Sequence, residues 1–372
     1  MTLSEQYCLD GGRIDIRRLP KVSLHDHLDG GVRPQTIIDL ADEVDLELPT
    51  TDAVALGDWF VQQASSGSLV EYLTTFEVTT AIMQTQNGLA RVAREFVQDL
   101  AADGVIYGEI RWAPEQHLQR GLTLDGAVVA VQEGLEQGVD DARHQGHDIR
   151  VGQIMTAMRH ESRSLEIAEL AVRHRHQGVV GFDIAGAEAG FLPRRHRAAF
   201  DYLAAQYFPV TVHAGEAGGL ESIRSALFDG RALRLGHGVR LAEDLEIQRQ
   251  DAENSYVTLG PVAEWVRDRE IALELSPSSN LQTGAITRWG TELIDHPFDL
   301  LYQLGFRVTV NTDNRLQSAT SLTRELYLLS DVFGYDQSHL LTFQLNAASA
   351  TFLPLDERED LIDQIVAGFD RM

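Results

Sequence analysis

Two histidines one residue apart, His25 and His27, follow Lys21-Val22-Ser23, a run that reads as a short β-strand. Alternate residues of a strand share a face, so the two imidazoles point the same way. An isolated His-x-His pair is a weak motif. It becomes half of a metal site only if the chain brings further donors to the same place. Three later segments carry such residues: His213-Ala214-Gly215-Glu216, Gly236-His237-Gly238 and Asp313-Asn314. His25, His27, His213 and Asp313 would give three imidazole nitrogens and one carboxylate oxygen, a set that suits zinc and leaves one position for water. A water held there would lose a proton near neutrality. Glu216, three residues beyond His213, can lie close without ligating and give or take a proton. His237 could be a second base beside the water.

These residues act together only if the elements carrying them converge. After the first strand, which the chain enters at Leu19 and leaves at His27, residues 34–100 read mostly as helix. Within them Leu69, Tyr72, Leu73 and Phe76 fall at i, i+3, i+4 and i+7, one helix face. A rhythm then sets in. Strands are expected over 105–112, 148–155, 178–186, 208–213, 233–237, 272–276 and 306–312, with helices over 123–145, 162–177, 195–206, 219–229 and 242–253 between them. Alternation of this kind implies right-handed βαβ units and a parallel sheet. Eight strands suggest an α/β fold of the closed (β/α)8 TIM barrel type, with a helical insertion after the first strand and one domain over 1–372. In a barrel the C-terminal strand ends meet at one face, which carries the active site. His25 and His27, His213, His237 and Asp313 all fall at such ends. Asp26 faces away from its two neighbours and reads as structural. His174-Arg175-His176 repeats the His-x-His pattern, but Gln177-Gly178 follows it, and charge at a helix C-terminus accounts for it.

Composition narrows the function classes. The 372 residues carry a formal charge of −25, with 56 acidic against 31 basic side chains. That field opposes phosphate backbones and anionic lipid, so neither nucleic acid nor membrane surface is expected as a partner. The one cysteine, Cys8, excludes an intramolecular disulfide and any Cys-x-x-Cys metal site. No apolar run of about 18 residues and no secretory leader is visible, so the cytoplasm is the expected location. Thirty arginines accompany a single lysine, Lys21. A two-metal site of the kind bridged by a carboxylated lysine at the fourth strand is therefore not expected, since that strand ends in Ile184-Ala185-Gly186.

Five segments, Lys21–Gly30 (KVSLHDHLDG), Thr211–Glu216 (TVHAGE), Arg234–Gly238 (RLGHG), Ser276–Gly284 (SPSSNLQTG) and Val310–Asn314 (VNTDN), resemble the adenosine deaminase family of the amidohydrolase superfamily, in family order. Phe182–Glu188 (FDIAGAE) resembles its bacterial actinomycete-type branch. The resemblance implies hydrolytic deamination of adenosine and 2′-deoxyadenosine, with ammonia released, one Zn2+ per chain and a place in purine salvage. By the same resemblance His25, His27, His213 and Asp313 match the metal ligands. Glu216 matches the acid that protonates purine N1, and His237 the base that orients and deprotonates the attacking water. Gly186 matches the backbone donor to N3, Asp29 the carboxylate that holds the ribose 5′-hydroxyl, and Leu69, Tyr72 and Leu73 an apolar lid over the sugar. Asn314 departs from the family, which often has a second Asp there to contact N7; the amide can still donate. Deamination of another aminopurine nucleoside, such as aminodeoxyfutalosine, stays open, as does a silent binding protein on the same barrel. Relatives acting on free adenine tend to carry Glu-Gly where this chain has Asp29-Gly30.

Overall fold

The computed structural model describes residues 7–9, 11–250 and 255–371. Eight parallel strands build its centre: β1 (Lys21–His27), β2 (Val105–Trp112), β3 (Arg150–Met158), β4 (Val179–Ala185), β5 (Thr211–Ala214), β6 (Arg234–His237), β7 (Ala272–Leu275) and β8 (Val308–Val310). β1 to β4 pair in sequence order, and so do β5 to β8. The two groups meet at both edges through parallel bridges, Phe182 with Val210 and Asp26 with Asp313. At the second seam His27 N donates to Asp313 O and Asp313 N to His25 O, each at 2.9 Å. The seam that joins the first and last strands thus lies among the predicted metal ligands. This is the α/β TIM-barrel architecture expected of the alternating pattern.

Between β1 and β2 lie five helices, α1 (Pro34–Ala41), α2 (Ala53–Ala64), α3 (Leu69–Leu73), α4 (Phe76–Ile82) and α5 (Gln86–Ala102). Their starts follow from local chemistry. Pro34 occupies the first turn of α1, Asp52 accepts from Ala55 N at the head of α2, and Thr85 accepts from Gly88 N at the head of α5. α5 buries one face in the main core through Leu89, Val92, Phe96 and Leu100. α3 does not join that core. Leu69 and Tyr72 form a small separate cluster with Ala64, against which Leu73, Phe76 and Ala217 pack.

One expected element is different. In place of a helix over 242–253, a short 3-10 turn (Val239–Asp244) leads into an antiparallel hairpin, Leu245–Gln250 with Ser255–Leu259. Residues 251–253 of the expected helix lie outside the described residues. Glu, Gln, Arg and Leu favour helix one by one, yet Leu245-Glu246-Ile247-Gln248 alternates with period two, and Leu245 and Leu259 face the core together. Asp244 stops the helix that would have run on: its carboxylate accepts from Val262 N and Ala263 N, capping the next helix instead. His174, which ends the helix Ser164–Arg173, has its Nε2 2.8 Å from Asp125 Oδ1 and its Nδ1 2.7 Å from Gln177 Oε1. No helix among the described residues is long and apolar enough to cross a membrane.

Lys21 opens β1 fully buried, its Nζ donating to Leu19 O at 2.8 Å and Arg17 O at 3.2 Å. Burial outweighs the pull of Asp103 and Asp15 and drops its pKa to about 8. The unfolded chain keeps that proton up to the ordinary 10.5. Between those values the unfolded state binds more protons, so stability rises with pH; below about 8 both states are protonated and the contribution is flat. Lys21→Met is expected to remove a rise of up to about 3 kcal/mol across this window, read from urea unfolding on either side of it. Equal pH dependence in the two proteins would exclude Lys21 as its source.

Candidate active site

The strand ends bring the predicted residues to one face. A cavity of about 220 Å³ is lined by His27, Asp29, Leu69, Tyr72, Leu73, Gly186, His213, Glu216, His237, Asp313 and Asn314. His25 lies just beneath, fully buried. The residues matched to metal, catalytic and substrate roles therefore lie in or directly under one cavity. His237 and Asp313 adopt left-handed backbone, φ 61° and 59°. For residues other than glycine this is costly, and such conformations concentrate at functional sites.

Three donor-to-donor separations define the cluster. His27 Nε2 is 3.2 Å from His213 Nε2 and 3.3 Å from Asp313 Oδ1, and His25 Nε2 is 3.4 Å from the same oxygen. Ligands about 2.0–2.1 Å from a tetrahedral ion stand about 3.3–3.4 Å from one another, so the spacing fits a metal such as zinc. The outer nitrogens point the same way. His25 Nδ1 lies 3.0 Å from Glu274 Oε2 and His213 Nδ1 2.8 Å from Asp183 Oδ2, which keeps the proton on Nδ1 and turns Nε2 to the centre. His25 Nε2 is buried and makes no hydrogen bond. Asp313 Oδ2 accepts from Ser279 Oγ at 2.6 Å, which leaves Oδ1 for the cluster. His237 is also within reach: His25, His213, His237 and Asp313 place one donor atom each within 4.8 Å of one another. His27 is the better fourth ligand, because Nδ1 of His237 is 3.0 Å from Asn280 and its Nε2 is 3.6 Å from Glu216 Oε2.

Two glycines permit this crowding. A Cβ on Gly236 would stand 3.1 Å from His213 Cα and 3.2 Å from the His25 ring, and one on Gly30 would strike the Asn314 side chain. They explain the Gly in Arg234–Gly238 and the Gly after Asp29 by close approach.

Glu216 is 4% exposed. Burial first, then the charges of Asp313 and Glu188, push its pKa well above the ordinary 4.5. Its backbone is fixed by Glu188, whose carboxylate accepts from Gly215 N at 2.7 Å, Glu216 N at 3.0 Å and Gly218 N at 2.7 Å. Burial lifts Asp29 to about 7. Asp26 takes no part in the cavity: it pairs with Arg315 at 2.9 Å beneath it.

Sequence reasoning did not single out several residues that shape the site. Met158 and His160 line the cavity. Asp183 and Glu274 hold the ligand imidazoles and are themselves held by Arg111, which reaches both at 2.8 Å. A signal was present: Glu109, Arg111, Asp183 and Glu274 are charged residues inside otherwise apolar strands, which in a buried barrel requires partners.

The family model for adenosine deaminase matches residues 20–368. Adenosine deaminase 1 of Streptomyces coelicolor is 55% identical over 352 residues, 94% of this chain and 87% of that protein. The adenosine deaminase of Mycobacteroides abscessus is 51% identical over 354 residues, 95% of this chain and 96% of that protein. The crystal structure of an amidohydrolase from Burkholderia ambifaria with bound zinc superposes with a TM-score of 0.80 at 22% identity, covering 96% of this chain and 92% of that one, a likeness of fold.

Proposed function

The chain belongs to the adenosine deaminase family, and from that premise we propose that it hydrolyses adenosine and 2′-deoxyadenosine at C6, releasing ammonia and leaving the 6-oxo nucleoside. The observation that carries this reading is a buried Glu216, its acid form favoured by its surroundings, lining the same cavity as His27, His213 and Asp313 with His25 directly beneath. The ion assigned to His25, His27, His213 and Asp313 is zinc, which suits nitrogen and oxygen donors without thiolate. When bound, it supplies the nucleophile by acidifying a water and acts as a Lewis acid.

The chain's own residues do the rest. Glu216 donates its proton to purine N1, so the ring accepts electrons from the attack at C6 without building full negative charge. Asn314 donates its amide N–H to N7, and the backbone N–H of Gly186 donates to N3. Asp29 accepts from the ribose 5′-hydroxyl. Leu69, Tyr72 and Leu73, on α3 and in the cavity wall, cover the sugar and exclude water. His237 faces the metal cluster from beside Glu216, on the side where oxygen adds. The substrate is a small-molecule nucleoside, and the working compartment is the cytoplasm.

The test is turnover by metal-quantified protein of adenosine, 2′-deoxyadenosine and adenine side by side, read as ammonia release. Activity on both nucleosides well above adenine is expected; none on either nucleoside overturns the assignment. Asp29→Ala removes a hydrogen bond to a charged group and is expected to lower kcat/KM for adenosine about 10- to 100-fold while leaving the rate on adenine unchanged. An equal loss on both would show that Asp29 supports the site rather than reading the sugar.

A further inference from the structure

A histidine that takes a proton through Nε2 must have that nitrogen bare. Which nitrogen of His237 carries the proton is therefore decisive, and the surrounding hydrogen bonds fix it from a group whose role cannot change. The backbone N–H of Phe298 donates to His296 Nδ1 at 3.0 Å. A ring nitrogen that accepts has no proton, so neutral His296 carries its proton on Nε2. Burial keeps it neutral, with a pKa of about 3. His296 Nε2 lies 3.2 Å from Asn280 Oδ1, the acceptor end of the amide. The donor end, Asn280 Nδ2, lies 3.0 Å from His237 Nδ1. An amide nitrogen only donates, so His237 Nδ1 accepts and the proton sits on Nε2.

The relay cannot be reversed one member at a time. Turning the Asn280 amide over would set its NH2 against the N–H of His296. Moving the His296 proton to Nδ1 would set it against the Phe298 N–H. Asn280, His296 and Phe298 are all buried, so water offers no alternative partner. The Asn280 backbone is tied as well, donating to Ser276 O at 2.8 Å and accepting from Ala285 N at 2.9 Å.

We infer that Asn280 and His296 are positioning residues that hold His237 as its Nε2–H tautomer, so that His237 enters the cavity as a hydrogen-bond donor. The inference rests on the deaminase reading of the site and departs from the base role that the family resemblance implies. Nε2 lies 3.6 Å from Glu216 Oε2, and His237 lines the cavity. From there the N–H meets the oxygen that adds to C6 and orients it, so that its free lone pair faces the ring; the electrons it gives up pass to N1, which Glu216 protonates. His237 keeps its proton in this role; the proton the water gives up passes to solvent before the substrate covers the site, and Glu216 regains its own from solvent after ammonia leaves.

The test uses zinc-loaded enzyme with 15N-labelled histidine and long-range 1H–15N correlation, the His237 signals assigned by their loss in His237→Gln. An unprotonated, acceptor-type shift at Nδ1 and a protonated shift at Nε2 are expected. Asn280→Asp replaces the donor by a carboxylate that only accepts, so it should draw the proton to Nδ1 and exchange the two shifts. In that variant kcat for adenosine should fall about 10²-fold, the order of loss when a reacting group is misplaced, with KM little changed. A wild-type spectrum with the proton on Nδ1 overturns the inference, whether or not the variant folds. So does Asn280→Asp protein that shows the exchanged shifts yet turns over adenosine at the wild-type rate. Wild-type protein with the expected tautomer but no turnover of adenosine would instead overturn the deaminase reading and leave the relay standing.

Discussion

Glu216→Gln is expected to lower adenosine turnover by about 10²–10⁴-fold while the protein keeps its full metal content, because the variant keeps the shape of the side chain and loses only its transferable proton. Gln can still offer an N–H to purine N1, so binding survives and the loss falls on kcat. The metal stays because Glu216 is not among the proposed ligands; the distances that define the cluster run between His25, His27, His213 and Asp313. Folding is not at risk either. Glu216 is buried, its Oε1 has no hydrogen-bond partner, and desolvation with two neighbouring carboxylates already disfavours its charge. A neutral amide at such a place costs no more than the acid it replaces, so the variant should be as stable as the wild type or slightly more so. Metal analysis, urea unfolding and steady-state kinetics on one preparation separate the three effects. Retention of wild-type kcat would remove Glu216 from the chemistry.

That these residues are legible in the sequence is a matter of register. A barrel gathers the C-terminal ends of its strands, so reading the residues at and just beyond each strand's end reads the site. His213 follows directly on a run of alternating apolar residues, His237 ends its strand, and Asp313 lies three residues past the end of β8. What stayed hidden depends on contacts between strands and loops distant in sequence. The His237–Asn280–His296 relay joins three separate segments through side-chain hydrogen bonds, and no local pattern in Ser276–Gly284 marks Asn280 as a partner of His237. Glu188 looks like an ordinary loop residue until three backbone N–H groups are found on it. The hairpin Leu245–Leu259 was missed for a different reason: residues that favour helix one by one were read without their period-two alternation. The charged layer inside the barrel could have been anticipated, since Arg111, Asp183 and Glu274 interrupt apolar strands, though which carboxylate meets which cation is settled only by the pairing of the strands.

That layer sets the largest expected change in stability. Arg111 is fully buried, and its guanidinium donates to Asp183 Oδ2 at 2.8 Å, Glu274 Oε2 at 2.8 Å and Leu24 O at 2.7 Å. Each of those carboxylates also takes a ligand imidazole, Asp183 from His213 and Glu274 from His25. Arg111→Met keeps the volume and leaves two buried carboxylates short of a cation. Glu274 retains Arg234 at 2.6 Å, whereas Asp183 keeps only the His213 imidazole at 2.8 Å as an ion-pair partner. Removing one partner from a buried charge network costs about 3–5 kcal/mol, against about 0–1 kcal/mol for a solvent-exposed pair. Arg94→Met, which breaks the half-exposed pair with Asp141, is the control and should cost less than about 1 kcal/mol. Both variants are compared by urea unfolding without metal, so that loss of a bound ion does not add to the difference. With metal restored, Arg111→Met should also bind the ion about 10- to 100-fold more weakly, because the carboxylates that orient His25 and His213 have lost their own anchor. Arg111→Lys keeps the charge, but one ammonium cannot present the planar fork that meets two carboxylates and a carbonyl at once, so it should fall between Met and wild type. A metal-free Arg111→Met protein no less stable than the Arg94→Met control would mean that the charged layer beneath the site is not what holds this end of the barrel together.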